Sequence, residues 1–191
     1  MSLDQFSTLL TFGSSVLFVG LAFIVLATCT SEKLREHMAR LGYFSYLWVI
    51  AGVSAFSIAS AFIYQLVYLT PVCELCWIQR IFFYPIVIIM LVAIWHRTRE
   101  AHITIAILSA LGLLVAIYHY YYQFQKLVLG NVLALPCSYG GLLPACTDSS
   151  ILIFGFVTIP FMGILMFGSF LLLAGLAEFA KRRMDRIINN K

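Results

Sequence analysis

Two cysteines three residues apart in "TPVCELCWIQR", Thr70 to Arg80, are the side chains in this sequence best suited to chemistry. A disulfide between Cys73 and Cys76 closes a very small ring, so it removes little entropy from the unfolded chain and is a poor staple. The same spacing suits thiol–disulfide exchange, in which a thiolate is the attacking species. If a helix opens at this point, the partial positive charge of its first turn favours the thiolate. Arg80 follows Cys76 by four residues, which puts both on one helical face. An arginine in a membrane span costs about 2.5 to 3.5 kcal/mol at the centre and less near the interface, so it needs a partner. Two readings stand side by side. Arg80 snorkels to the head groups, or it is a fixed cation that holds Cys76 as thiolate and stabilises negative charge on an electron acceptor.

A second pair, Cys137 and Cys146, flanks "SYGGLLPA", whose Gly-Gly and Pro permit a tight reversal and a disulfide across the loop. Before it, "KLVLGNVLAL" (Lys126 to Leu135) is too short to span and apolar enough to lie on a membrane surface. An exposed disulfide beside such a segment suits exchange with a soluble partner. The fifth cysteine, Cys29, falls at the end of an apolar run, where a thiol usually serves as packing.

The elements that must position these groups are membrane helices. Hydrophobic residues make up 62% of the 191 and charged residues 10%, and a mean hydropathy of +0.98 lies far outside the soluble range. Neither nucleic acid nor an acidic soluble partner is implied by a formal charge of +4 that sits in loops. A span needs roughly 20 apolar residues, and five runs qualify: Leu9 to Cys29, Tyr43 to Leu69, Trp77 to Trp95, Ile103 to Gln123 and Ile151 to Ala177. Pro85 and Pro160 fall inside two of them, where prolines are tolerated as kinks. The first run lacks the basic leader of a signal peptide: Asp4 precedes it and basic residues follow, so a retained span is expected.

Orientation comes from Lys and Arg, which collect on the cytoplasmic side. Ten of the twelve form three clusters, Lys33–Arg40, Arg97–Arg99 and Lys181–Lys191, all on one face of a five-span path. The opposite, outer face receives the amino terminus and both cysteine pairs, where disulfides persist.

"CELCWIQR", a C-x-L-C-x-x-Q/E-R pattern opening a transmembrane helix, with a second cysteine pair in the next outer loop, resembles the DsbB family of membrane thiol oxidases. The resemblance runs from Tyr43 to Ala177. It implies an all-α integral membrane protein with a four-helix transmembrane bundle core (43–178), to which the first apolar run adds an additional N-terminal transmembrane helix with a basic cytoplasmic loop (1–42) and the end of the chain a basic cytoplasmic tail (179–191). It implies a bacterial inner-membrane location, and a DsbA-like thioredoxin-fold partner that attacks Cys137–Cys146, at Cys137. The resulting dithiol then reduces Cys73–Cys76, exchanging through Cys73, and Cys76 beside Arg80 passes the electron pair to a membrane quinone, ubiquinone or menaquinone. The role of that family is to keep the bacterial periplasm oxidising. His119, in "IYHYYYQ", resembles the family's histidine near the quinone ring. Trp77, Tyr118, Tyr120, Tyr121 and Tyr122 either wall the quinone slot or form the interfacial aromatic belt. Two departures stand out: the family core has four spans rather than five, and Cys137 and Cys146 are closer together than in Gram-negative members, as in BdbC-type proteins.

Other readings use the same residues. Four cysteines with a C-x-x-C half can bind a structural zinc, which leaves Arg80 without a role; no metal is expected on the redox reading. A vitamin K epoxide reductase-like protein also couples C-x-x-C, a loop pair and a quinone, but in the reverse order along the chain. A specialised member serving one dedicated partner is a third. For the orientation, a membrane-impermeant maleimide added to intact cells after reduction is expected to label Cys137 and Cys146. Labelling only from the cytoplasmic face would overturn it.

Overall fold

A computed structural model describes residues 2–70, 72–130 and 152–189. Among these, six helices follow one another: α1 (Leu3–Thr30), α2 (Glu32–Arg40), α3 (Tyr43–Leu66), α4 (Glu74–Trp95), α5 (Ala101–Leu127) and α6 (Ile159–Asn189). All but α2 are long and apolar enough to cross a membrane, five in number. The chain is an all-α, multi-pass membrane protein, and the five apolar runs of the sequence are its five long helices.

Local signals account for the starts of the helices. Ser2 caps α1 through a capping box with Gln5, and Asp4 lies in the first turn, where a negative charge offsets the helix dipole. Ser31 ends α1 and at once caps α2, its hydroxyl accepting from the Leu34 N–H. The short α2 carries the first basic cluster as an amphipathic helix, which hydropathy alone did not indicate.

Helix α6 is the hub, packing against α5, α1, α3 and α2. Its Phe167 and Phe170 are fully buried with Leu47, Ile50, Ile86, Met90 and Ile105. Without a hydrophobic force between helices in lipid, close approach through small residues supplies the packing. At Gly112 a Cβ would lie 2.3 Å from the Phe167 ring, and at Gly168 it would lie 2.6 Å from the Phe18 ring. These two glycines let α5 and α1 reach α6.

The structure differs from the sequence expectation in several places. The fifth span begins at Ile159 rather than Ile151, because the chain first makes a tight turn: Ile153 and Val157 form an antiparallel bridge, with Phe154 and Gly155 at positive φ between them. Pro160 is therefore the second residue of α6, where its missing N–H costs no hydrogen bond, and among the described residues only Pro85 is interior to a helix. Lys126 and Leu127, read as part of a surface-lying segment, belong to the last turn of α5. Cys29 is exposed rather than packed. The second cysteine pair, Cys137 and Cys146, lies outside the described residues.

The far end of α6 continues well past Ala177 because its charges find partners. Asp185 accepts from Arg99 at 3.1 Å, Lys181 pairs with Glu100, and Glu178 pairs with Arg182. Buried beneath them, His102 Nε2 lies 2.7 Å from Glu178, and its Nδ1 lies 3.3 Å from the Tyr43 hydroxyl. A carboxylate on Nε2 assigns the proton there, leaving Nδ1 to accept from Tyr43. The basic clusters thus gather at one end of the bundle, and Cys73 and Cys76 lie at the other.

Gly112→Leu is expected to force the buried Phe167 ring out of place and to destabilise the bundle by about 1 to 3 kcal/mol or more. Thermal unfolding in detergent measures this; an unchanged midpoint would show that α5 and α6 do not depend on the contact.

Candidate active site

The segment joining α3 to α4 is tied down before the cysteines begin. Leu69 takes φ 50, turning the chain. Buried Thr70 then donates twice to the Tyr64 carbonyl, from its N–H at 3.0 Å and from its hydroxyl at 2.6 Å. Tyr64 in turn donates its own hydroxyl to Ser7 of α1 at 2.9 Å. The start of α4 is thereby anchored to α3 and α1 together.

Cys73 is the N-cap of α4, and its sulfur accepts the backbone N–H of Cys76 at 3.4 Å. As free thiols the two Sγ atoms stand 3.0 Å apart, with Cys73 donating to Cys76. Cys73 is buried and Cys76 is partly accessible. Behind them sits His119, fully buried in α5, its Nε2 3.7 Å from Cys73 Sγ. The Gln79 side-chain amide lies 3.3 Å from His119 Nδ1, and Gln123, one turn further along α5, places its amide 3.4 Å from Nε2. Both ring nitrogens of His119 thus meet a side-chain amide, and Nε2 also faces the Cys73 sulfur.

This arrangement makes the two sulfurs unequal. Donation to Cys76, and then burial, push the Cys73 thiol up to about 12, with the His119 contact acting the other way. Cys73 keeps its proton, and Cys76, in the first turn of α4, accepts it as a hydrogen bond.

Arg80 donates from Nη1 to Gln65 of α3 at 2.6 Å, and its guanidinium lies 5.0 Å from the centre of the Trp77 ring. It therefore has partners inside the protein. Cys76, Gln79 and Arg80 all line one cavity of about 470 Å³, enclosed by α1, α3, α4 and α6. Helix periodicity thus placed Cys76 and Arg80 on a shared surface. His119 stands on the other side of the sulfurs, against Cys73 and Gln79. Aromatic residues line the cavity too, but they are Phe56, Tyr64, Phe83, Tyr84 and Phe167. Trp77, Tyr118 and Tyr121 are instead exposed on the bundle surface, as an aromatic belt is.

Gln65 and Gln123 were not singled out in the sequence, and Gln79 entered only as the Q/E position of the C-x-L-C-x-x-Q/E-R pattern. Their signal was simply that an amide within an apolar span must find a partner. Cys73, Cys76 and His119 also form a donor set of the kind that can hold a metal, their ligand atoms lying within 4.8 Å of one another.

Residues 43–177 match the family described as "Disulfide bond formation protein DsbB". Among curated proteins, the chain is 33% identical over 111 residues to the SPbeta prophage-derived disulfide bond formation protein B of Bacillus subtilis, covering 58% of this chain and 70% of that one. It is 36% identical over 115 residues to a probable disulfide formation protein of Coxiella burnetii, covering 59% and 74%. Against disulfide bond formation protein C of Bacillus subtilis it is 32% identical over 120 residues, covering 63% and 80%. No solved structure matches at a significant level.

The inequality of the sulfurs predicts their reactivity. In the reduced protein, iodoacetamide is expected to modify Cys76 while Cys73 stays unmodified from about pH 7 to about pH 9, where an ordinary cysteine titrates. A thiol whose pKa is raised by folding contributes stability that is present below its unfolded pKa and lost as pH rises toward the folded value. Cys76→Ala removes the largest cause of that shift, so Cys73 should then become more reactive. Peptide mass mapping reads both sites, and equal rates in the unmodified pair would contradict the assignment.

Proposed function

This chain belongs to the family of disulfide bond formation protein DsbB, membrane disulfide oxidoreductases, and from that premise we propose that it is a thiol:quinone oxidoreductase serving a DsbA-like thioredoxin-fold partner. In this reading the end that carries Cys73 and Cys76 faces the extracytoplasmic side of a bacterial inner membrane, with the amino terminus there and the carboxy terminus in the cytoplasm. The observation that carries it is the cavity of about 470 Å³ whose wall includes Cys76, Gln79 and Arg80. A quinone fits the chemistry of that wall: a cation and an amide for its oxygens, a thiol for contact, and apolar side chains elsewhere. When bound, a quinone supplies the acceptor for two electrons and two protons.

The residues of the chain divide the remaining work. The partner's dithiol gives two electrons and two protons to the Cys137–Cys146 disulfide and leaves as a disulfide. The new dithiol exchanges with Cys73–Cys76, forming its own disulfide again and leaving Cys73 and Cys76 reduced. For that exchange Cys73 must pass through a thiolate, and His119 Nε2 at 3.7 Å, when protonated, is placed to stabilise it. Cys76 faces the cavity as the electron donor, and formation of its bond to Cys73 releases the proton that Cys73 held. Arg80, oriented by Gln65, holds positive charge where negative charge develops. Because 30 mV is about 1.4 kcal/mol for a two-electron couple, an acceptor of higher potential drives even a strongly oxidising disulfide forward.

The donor set of Cys73, Cys76 and His119 favours one other reading, a zinc site. Two sulfurs at about 2.3 Å on a tetrahedral ion stand about 3.8 Å apart, whereas here they are 3.0 Å apart.

Purified protein given a reduced thioredoxin-fold protein and a quinone tests the proposal. Cys76→Ser should abolish quinone reduction. Arg80→Ala should raise the KM for quinone about tenfold or more, the worth of a charged hydrogen bond, without preventing insertion. Unchanged turnover in Cys76→Ser, or stoichiometric zinc with no quinone reduction by the unmodified protein, would overturn it.

A further inference from the structure

Helix α1 precedes the residues that match the family, yet it supplies one wall of the cavity at Cys76, through Leu9, Leu10, Gly13, Ser14 and Leu17. We propose that the part of the cavity between α1 and α3 is the groove for the isoprenoid tail of the quinone, and that α1 is the element selecting acceptors by that tail. This rests on the quinone reading above and adds a subsite to it.

The first support is the distribution of polarity. Cys76, Gln79 and Arg80 lie together at one end, within the first two turns of α4, while the α1 and α3 walls are mostly hydrocarbon. The second is length. Arg80 is about 9 Å along α4 from its start, Gly13 about 15 Å along α1 and Gly52 about 21 Å from the end of α3, at 1.5 Å per residue. Those starts and that end all lie at the cysteine end of the bundle. A space reaching so far past the arginine exceeds a quinone ring and suits a chain attached to it.

The third support is how α1 and α3 are held. Both pack on α6, but they do not form a packed pair with each other. They are joined at the cysteine end, by Tyr64 donating to Ser7 and by the Phe6 ring, set edge-on to Tyr64 and tilted against Tyr68. Below that clasp the walls separate. Gly13 and Gly52 line the cavity from opposite helices, both are exposed, and a Cβ on either would meet nothing within 4 Å. The cavity therefore reaches the apolar outer surface between these glycines, so a tail can enter sideways from lipid while the ring sits under the clasp.

Rates measured in proteoliposomes, with dithiothreitol as donor and two quinones of the same ring, one bearing a single isoprene unit and one bearing eight, test this. Gly13→Leu should raise the KM for the long-tailed quinone about tenfold or more, leaving kcat and the KM for the short one nearly unchanged. Val19→Leu, on a part of α1 outside the cavity wall, should change neither. An unchanged KM for the long tail, or equal losses with both quinones, would overturn the subsite while leaving the quinone reading intact. Failure of the unmodified protein to reduce either quinone would sink the reading and the subsite together. Independently of any variant, a photoreactive group at the tail terminus should label the peptide containing Leu9 to Leu17, and labelling confined to α5 would overturn the assignment.

Discussion

Inside a bundle whose exterior is hydrocarbon, a polar side chain has to find its partner on another helix, and this requirement organises the whole molecule. Gln79 meets His119, Arg80 meets Gln65, Tyr64 meets Ser7 and Tyr43 meets His102. Each pair joins two different long helices. Such bonds are worth on average only about 0.6 kcal/mol each in membranes, so their main effect is not stability. They fix the rotation of each helix about its axis, which nonspecific apolar contact leaves loose. Once α4 and α5 are locked by Gln79 and His119, the cysteines at the start of α4 have only one direction to face.

The same requirement divides the bundle into two ends of different character. One end is charged and wet, with ion pairs joining the α4–α5 connection to α6. The other, among the described residues, carries fewer charges around the site: amides, hydroxyls and an imidazole stand near the sulfurs, and Glu74 and Arg80 are the charged residues in the first two turns of α4. A cation has a longer reach in such surroundings than in a charged cluster, because few counter-charges screen it. Arg80 keeps this character because Gln65 and Trp77, which it touches, are both neutral.

Much of this was legible in the sequence. Hydropathy located all five long helices, and the lysine and arginine clusters revealed the charged end. The spacing from Cys76 to Arg80 placed both on one surface. What stayed hidden depends on rotation and proximity between helices, which a hydropathy window does not encode. Gln65 is 15 residues from Arg80, and His119 is 46 from Cys73; nothing periodic links either pair. Pro160 looked like a residue within a span because Ile151 to Ile159 is as apolar as the helix that follows. Only the turn at Phe154 and Gly155, both at positive φ, separates them. The contribution of α1 to the cavity was equally invisible, since small residues such as Gly13 signal close packing as readily as open space.

Cys73 is the cap of α4 and, in the function proposed above, also a reacting sulfur, and it cannot hold both positions at once. While it accepts the Cys76 N–H it closes the first turn. Once it bonds to a sulfur on another loop, that N–H is released and the turn is free to unwind. A helix cap is worth about 0.5 to 2 kcal/mol, with a soft acceptor such as sulfur at the lower end. That is small beside the driving force of a redox couple, but it is spent and recovered in every cycle. In the proposed reaction the fraying of a helix end, ordinarily a matter of stability alone, becomes a coordinate of the chemistry.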